Sequence, residues 1–143
     1  MPIIDNIIQA FKQTQTTTKT TLEKSVTIAV DENKRQMRLG MDSKDASISP
    51  YSPSYASYKS TLSTYRAPSG TPDLYLSGAF QNSMFGLLSS DYSSISIDSK
   101  DSKSTSLKAK YGADIFGLGT SGQRYYTAAV YRSLSNQMFR IWR

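Results

Sequence analysis

The 143-residue chain has room for one modest core and little more, since folding at this length buries roughly two-thirds of the surface an unfolded chain exposes. Cysteine and histidine are both absent, which excludes disulfides, zinc-thiolate sites, thiol nucleophiles and the usual nucleophile-base pairs. The net charge of +6 is unevenly placed: residues 100–143 carry eight basic and two acidic groups, so the basic surface belongs to the last third.

The apolar fraction of 38% is low, with Ser, Thr and Tyr filling the shortfall, but ten Tyr, five Phe and a Trp are anchors for a folded core. No run approaches the ~20 apolar residues of a membrane span, and the first residues lack the basic start and small-residue cleavage site of a signal peptide. The expectation is an unprocessed chain without a membrane partner, assembling in a reducing cytoplasm.

Ile3, Ile4, Ile7, Ile8 and Phe11 have the spacing of a short amphipathic helix. The polar, β-branched run from Gln13 to Thr18 has weak helix propensity and predicts a hinge. Residues 1–19 thus read as a helical arm with a Thr-rich linker, able to reach a neighbouring subunit, and residues 20–143 as a single α+β domain. Helix resumes at Thr20, in capping-box spacing with Glu23, places Leu22, Val26, Ala29 and Val30 on one face, and stops at Gly40.

After a loop from Asp42 to Pro50, Ser52 and Pro53 form a helix start, followed by Tyr55, Tyr58, Leu62 and Tyr65 as one stripe. Arg66 to Pro72 reads as a loop. Ser77 is positioned to cap a short helix from Gly78 to Phe85, which Gly86 ends. Alternation then predicts a β-hairpin, with Tyr92, Ile95 and Ile97 on one strand, a turn from Asp98 to Ser104, and Leu107 and Ala109 on the other. A glycine-rich connection leads into a long helix from about Gln123 to Trp142. Tyr131, Leu134, Met138 and Ile141 mark its apolar face, with Arg132, Arg140 and Arg143 on roughly the opposite side. The expected fold is α+β, with the hairpin packed against helices around 53–65 and 123–142.

Candidate chemistry is sparse. The eleven carboxylates are scattered: Asp42 and Asp45 lack the further oxygen ligands of a calcium loop, and Asp31-Glu32 reads as a solvated helix face. The glycines from Gly117 to Gly122 lack the Lys-Ser/Thr of a phosphate loop. These patterns predict no enzyme, no cofactor and no metal. The tyrosine stripe is better read as packing than as a base-stacking platform, because only Lys59 and Arg66 supply positive charge near it. Arg140 and Arg143 suit a helix C-terminus. Lys100, Lys103, Lys108 and Lys110 either protect hairpin edges or, with Arg132, Arg140 and Arg143, face DNA phosphates or an acidic partner.

Two stretches carry a resemblance. Between Arg38 and Lys59, Ser52, Tyr55 and Lys59 match a motif of the tailed-bacteriophage tail-completion and virion-morphogenesis families. Between Pro72 and Met84, Leu76, Ser77, Gly78, Phe80, Ser83 and Met84 match a second. The order of a hairpin, a glycine-rich stretch and a terminal helix is also similar to those families, so the likeness covers about residues 20–143. Ala46 departs from it, standing where Gly is common.

The resemblance implies a structural virion protein, made in the host cytoplasm and placed at the head-tail interface. It would form a homo-oligomeric ring, six-fold sooner than twelve-fold, around the DNA channel. Its partners would be itself, neighbouring neck, portal or adaptor and tail-tube proteins, and packaged DNA through non-specific contact. The alternatives are a tail terminator or connector adaptor, a basic nucleic-acid-binding module using the hairpin and last helix, and a carboxylate-based hydrolase.

Overall fold

The computed structural model describes residues 2–65, 67 and 70–142. Arg66 and Arg143 therefore lie outside the described residues. The fold is α+β and helix-rich, with a small two-stranded antiparallel sheet and long helices at both ends. Helix α1 spans Pro2–Arg38, α2 Pro53–Ser60 and α3 Ala79–Asn82. Strands β1 (Met84–Leu88) and β2 (Ile95–Ser99) follow, then α4 (Ser104–Tyr111), a 3₁₀ turn (Ala113–Ile115) and α5 (Thr120–Ile141).

The expected hinge at residues 13–18 does not occur, because α1 runs unbroken through it. Weak threonine propensity is overridden by packing, since α1 and α5 lie antiparallel and the hydroxyls form their seam. Trp142 Nε1 donates to Thr14 Oγ1 at 3.1 Å, and Gln137 Nε2 to Thr21 Oγ1 at 2.9 Å. Ser25 Oγ and Tyr126 OH share a 2.7 Å hydrogen bond. Thr20 and Glu23, expected to cap a new helix, sit in mid-helix. The stop at Gly40 does occur. Gly40 has φ +72°, its N–H donates to Met37 O, and Met41 N–H donates to Gln36 O, the paired bonds of a Schellman terminus. A side chain there would strike the Thr71 methyl group.

The core gathers on the C-terminal half of α1, where Val30 and Met37 meet Ile48, Leu74, Phe80, Met84 and Ile115. Two α1 side-chain amides hold the glycine-rich connection beneath it. Asn33 bonds Ile115 O and Gly117 N–H, and Gln36 bonds Gly117 O and Gly119 N–H.

The hairpin is shifted from its expected place. β1 pairs with β2 in the register Met84↔Ser99 to Leu88↔Ile95, so the first strand is the segment expected to end the short helix. Gly86 lies inside β1, where its bare backbone rests on Val26 and Val30 of α1. Leu107 and Ala109 belong to α4 and not to a strand. Leu107 and Tyr111 are four residues apart, so one helix face carries both against the core, and the alternating pattern concealed that spacing. Ser89 to Ser94 form the turn, and hydrogen bonds from Ser89 and Ser93 lower the Asp91 pKa to about 2.

The hairpin covers α1, and not chiefly α2 and α5 as expected. α2 stops at Ser60, short of Leu62 and Tyr65. On α5 the inward residues are Gly122, Tyr126, Val130, Ser133, Leu134, Gln137, Met138 and Ile141, while Tyr131 faces solvent. Among the described residues, no helix is long and apolar enough to cross a membrane.

Asp45 ties the loop after α1 to the start of α5. Its Oδ2 accepts the Thr120 N–H at 2.7 Å, which holds its pKa below the usual 3.8. A carboxylate whose pKa falls on folding stabilises the fold fully above its unfolded value and loses that contribution as pH drops through the folded one. Asp45→Asn should therefore lower the urea midpoint at neutral pH, with the gap to the native chain closing as pH falls below about 4. A gap that stays constant with pH would mean the charge on Asp45 contributes nothing.

Candidate functional site

The two stretches that carry the motifs converge on one buried ion pair. α2 delivers Lys59, whose side chain is 0% exposed, to Asp73, 4% exposed, with Nζ 2.8 Å from Oδ1. Asp73 Oδ1 also accepts from Tyr51 OH at 3.0 Å and Tyr75 N–H at 3.2 Å. Lys59 Nζ donates to Tyr75 O and lies over the Tyr51 and Tyr65 rings. Burial, with the neighbouring Asp73 charge adding to it, pushes the Tyr51 phenol well above its ordinary value, so it stays a donor to Asp73.

The network extends outward by contact. Gln81 is fully buried, donates Nε2 to Asp73 O at 2.9 Å, and accepts from Arg38 Nε at 2.9 Å. Arg38 in turn covers the Tyr75 ring. Beside this cluster is an open cavity of about 460 Å³, lined among the described residues by Arg38, Ser63, Thr64, Ala67, Asp73 and Tyr75. No buried side-chain polar atom among the described residues is left without a partner. Lys59, Asp73 and Gln81 are engaged with one another and with backbone, which makes the cluster a clamp holding the chain at Asp73 and Tyr75 against α1 and α2.

The other motif residues serve the same region. Ser52 stands at the start of α2, where Pro53 takes the first helical position, but its side chain makes no capping bond. Tyr55 stacks edge-on to Tyr51 at 4.9 Å between ring centroids. Leu76 is exposed. Ser77 Oγ accepts the Ala79 N–H at 3.4 Å. Gly78, at φ +85°, turns the chain into α3 where a side chain would strike the Tyr75 ring. Ser83 Oγ bonds Ala79 O, while Phe80 and Met84 enter the core.

The basic residues do not form one surface of equals. Lys108 is paired with Asp98 at 2.9 Å, an ion pair that lowers the Asp98 pKa. Lys100 lies over Phe85, at the end of the hairpin, and Lys110 over Tyr111. Lys103 is exposed at the start of α4, and Arg132 and Arg140 are exposed on α5. Among the described residues no group of three or more Asp and Glu is placed to hold a metal ion.

Sequence reasoning singled out Lys59 but not Asp73, Gln81 or Arg38, nor the amides of Asn33 and Gln36. The available signal was Lys59 beside the tyrosine stripe: a lysine carried into a core needs a carboxylate, and Asp73 lies just ahead of the residues that match the second motif. Comparisons with protein-family models, curated proteins and solved structures returned no match for this chain.

If the ion pair is a clamp, Lys59→Met should cost about 3–5 kcal/mol in urea denaturation, because it leaves Asp73 buried and uncompensated. Adding Asp73→Asn should recover at least ~1 kcal/mol of that loss. Strictly additive effects would contradict the pairing.

Proposed function

We propose that this chain is a structural virion protein of a tailed bacteriophage, joining head and tail as one member of a homo-oligomeric ring around the DNA channel. The observation that carries the reading is the convergence of both motif stretches on the Lys59–Asp73 clamp. Segments that resemble an assembly family at separate places in the sequence meet at one structural device, Lys59 coming from the first and Asp73 lying just ahead of the matching residues of the second. They stiffen a loop and leave reactive groups satisfied, which suits a protein that works by fitting and not by catalysis.

The exposed surface supports the same reading. Ile3, Ile4, Ile7, Ile8 and Phe11 on α1, and Tyr131, Phe139 and Trp142 on or just past α5, are large apolar side chains in solvent. A small domain hides such surface by assembly. In this reading the ring is six-fold, the neighbours are neck, portal or adaptor and tail-tube proteins, and the location is the virion head-tail interface. Lys100, Lys103 and Lys110, with Arg132 and Arg140, then meet packaged DNA without reading bases, or an acidic partner ring. Lys108 is not in that set, being paired with Asp98.

Deleting the gene from the phage should yield filled heads and free tails that do not join, and mass spectrometry of native virions should find the chain. Normal infectious particles from the deletion, with the chain absent from native virions, would refute the reading. In a second arm, Lys100, Lys103 and Lys110 all replaced by Gln should reduce DNA-retaining particles several-fold. Unchanged particles would mean that these lysines contact neither DNA nor an acidic partner ring.

A further inference from the structure

The outer end of α1 and an apolar groove in the middle of the molecule are unlike surfaces with matching chemistry. Ile3, Ile4, Ile7, Ile8 and Phe11 continue the face of α1 that further along carries Leu22 and Ala29, but they lie at or beyond the end of α5. Trp142 reaches this end, edge-on to Phe11 at 5.2 Å. The groove, of about 500 Å³, lies between α1, the hairpin and the start of α5, and is lined by Leu22, Leu88, Ile95, Leu118 and Tyr126 among others.

We infer that the α1 tip of one copy seats in this groove of the next, the partner being a second copy of the same chain. The inference rests on the ring reading above and names its contact. The tip cannot fill its own groove, because both belong to one unbroken helix, and Ile8 and Leu22 stand about 20 Å apart at 1.5 Å per residue. Tip and groove are different patches, so the contact is head-to-tail, and repetition of it closes a ring or extends a filament.

Area favours a protein partner of this size. The four isoleucines and the Phe11–Trp142 pair expose on the order of 500 Å² of apolar surface, near the upper end of what a monomer's largest patch reaches. With a polar rim that approaches the ~800 Å² per partner of a standard interface.

The cysteine-free chain allows a clean test. Ile7→Cys and Ser94→Cys change an exposed tip residue and a hairpin-turn residue lining the groove. The full chain carrying both should give, on mild oxidation, a ladder of cross-linked species, while either variant alone gives none. Ile7→Asp with Ile8→Asp should convert the native oligomer to a cooperatively folded monomer in light scattering and circular dichroism.

Cross-linked dimers from Ile7→Cys alone would overturn the inference in favour of a tip-to-tip contact. An oligomer that survives the Asp changes and shows no ladder would overturn it while leaving the ring standing. A monomeric chain whose Ile7→Cys variant couples in virions only to another protein would place a different partner on the tip and overturn it too. A chain absent from virions would instead refute the ring reading itself.

Discussion

One helix organises this molecule. α1 is 37 residues long, about 55 Å at 1.5 Å per residue, and meets three different environments along its length. At its C-terminal end an apolar face carries the core, with Val30 and Met37 under the hairpin and the 3₁₀ turn. In the middle a different face presents hydroxyls, where Thr14, Thr21 and Ser25 meet the side chains of α5 and Trp142. At its N-terminal end it exposes isoleucines and Phe11, with Trp142 edge-on to Phe11. The gradient in cover follows from length, since α5 has only 22 residues and ends before α1 does.

That arrangement divides the work between the two ends of the fold. Hydrophobic burial is concentrated near residues 26–37, and the buried Lys59–Asp73 pair fixes the loop beside them. A buried ion pair of this kind is weak evidence for added stability, because desolvation offsets most of the attraction. Its consequence is positional: the Tyr51 phenol and the Tyr75 backbone take their orientation from the two charges, and Gln81 bonds the Asp73 backbone carbonyl. The seam between α1 and α5 is thinner. Small polar side chains let the helices approach, and a void of about 110 Å³ remains between Thr21, Ser25, Val130 and Gln137. Hydroxyl pairs contribute about 1 kcal/mol each at best, so the outer half of α1 is the part least firmly held.

The sequence was most legible where a local signal and the tertiary structure agree. Gly40 as a helix stop, Ser52-Pro53 as a helix start and the long terminal helix follow from backbone chemistry alone. It was least legible where packing overrules propensity. Threonines that disfavour an isolated helix are the seam of a paired one, and Leu107, Ala109 and Tyr111 fit both a strand and a helix spacing. Ser89 to Ser94 hid a hairpin turn because its order comes from Asp91 and serine hydroxyls and not from a glycine pair. At the site, the convergence of Lys59 on Asp73 is a tertiary fact that spacing alone does not supply, although a lysine among tyrosines announced that a carboxylate was needed.

The central claim is that the exposed apolar residues at the outer end of α1 are covered by another copy. Hydrogen exchange of the full chain, compared between dilute and oligomer-forming concentrations, measures this along the helix itself. The account predicts that the amides of residues 25–38 are protected at both concentrations, while those of residues 3–11 exchange quickly when dilute and become protected on assembly. Equal protection of residues 3–11 at both concentrations, with oligomer present in one, would contradict it.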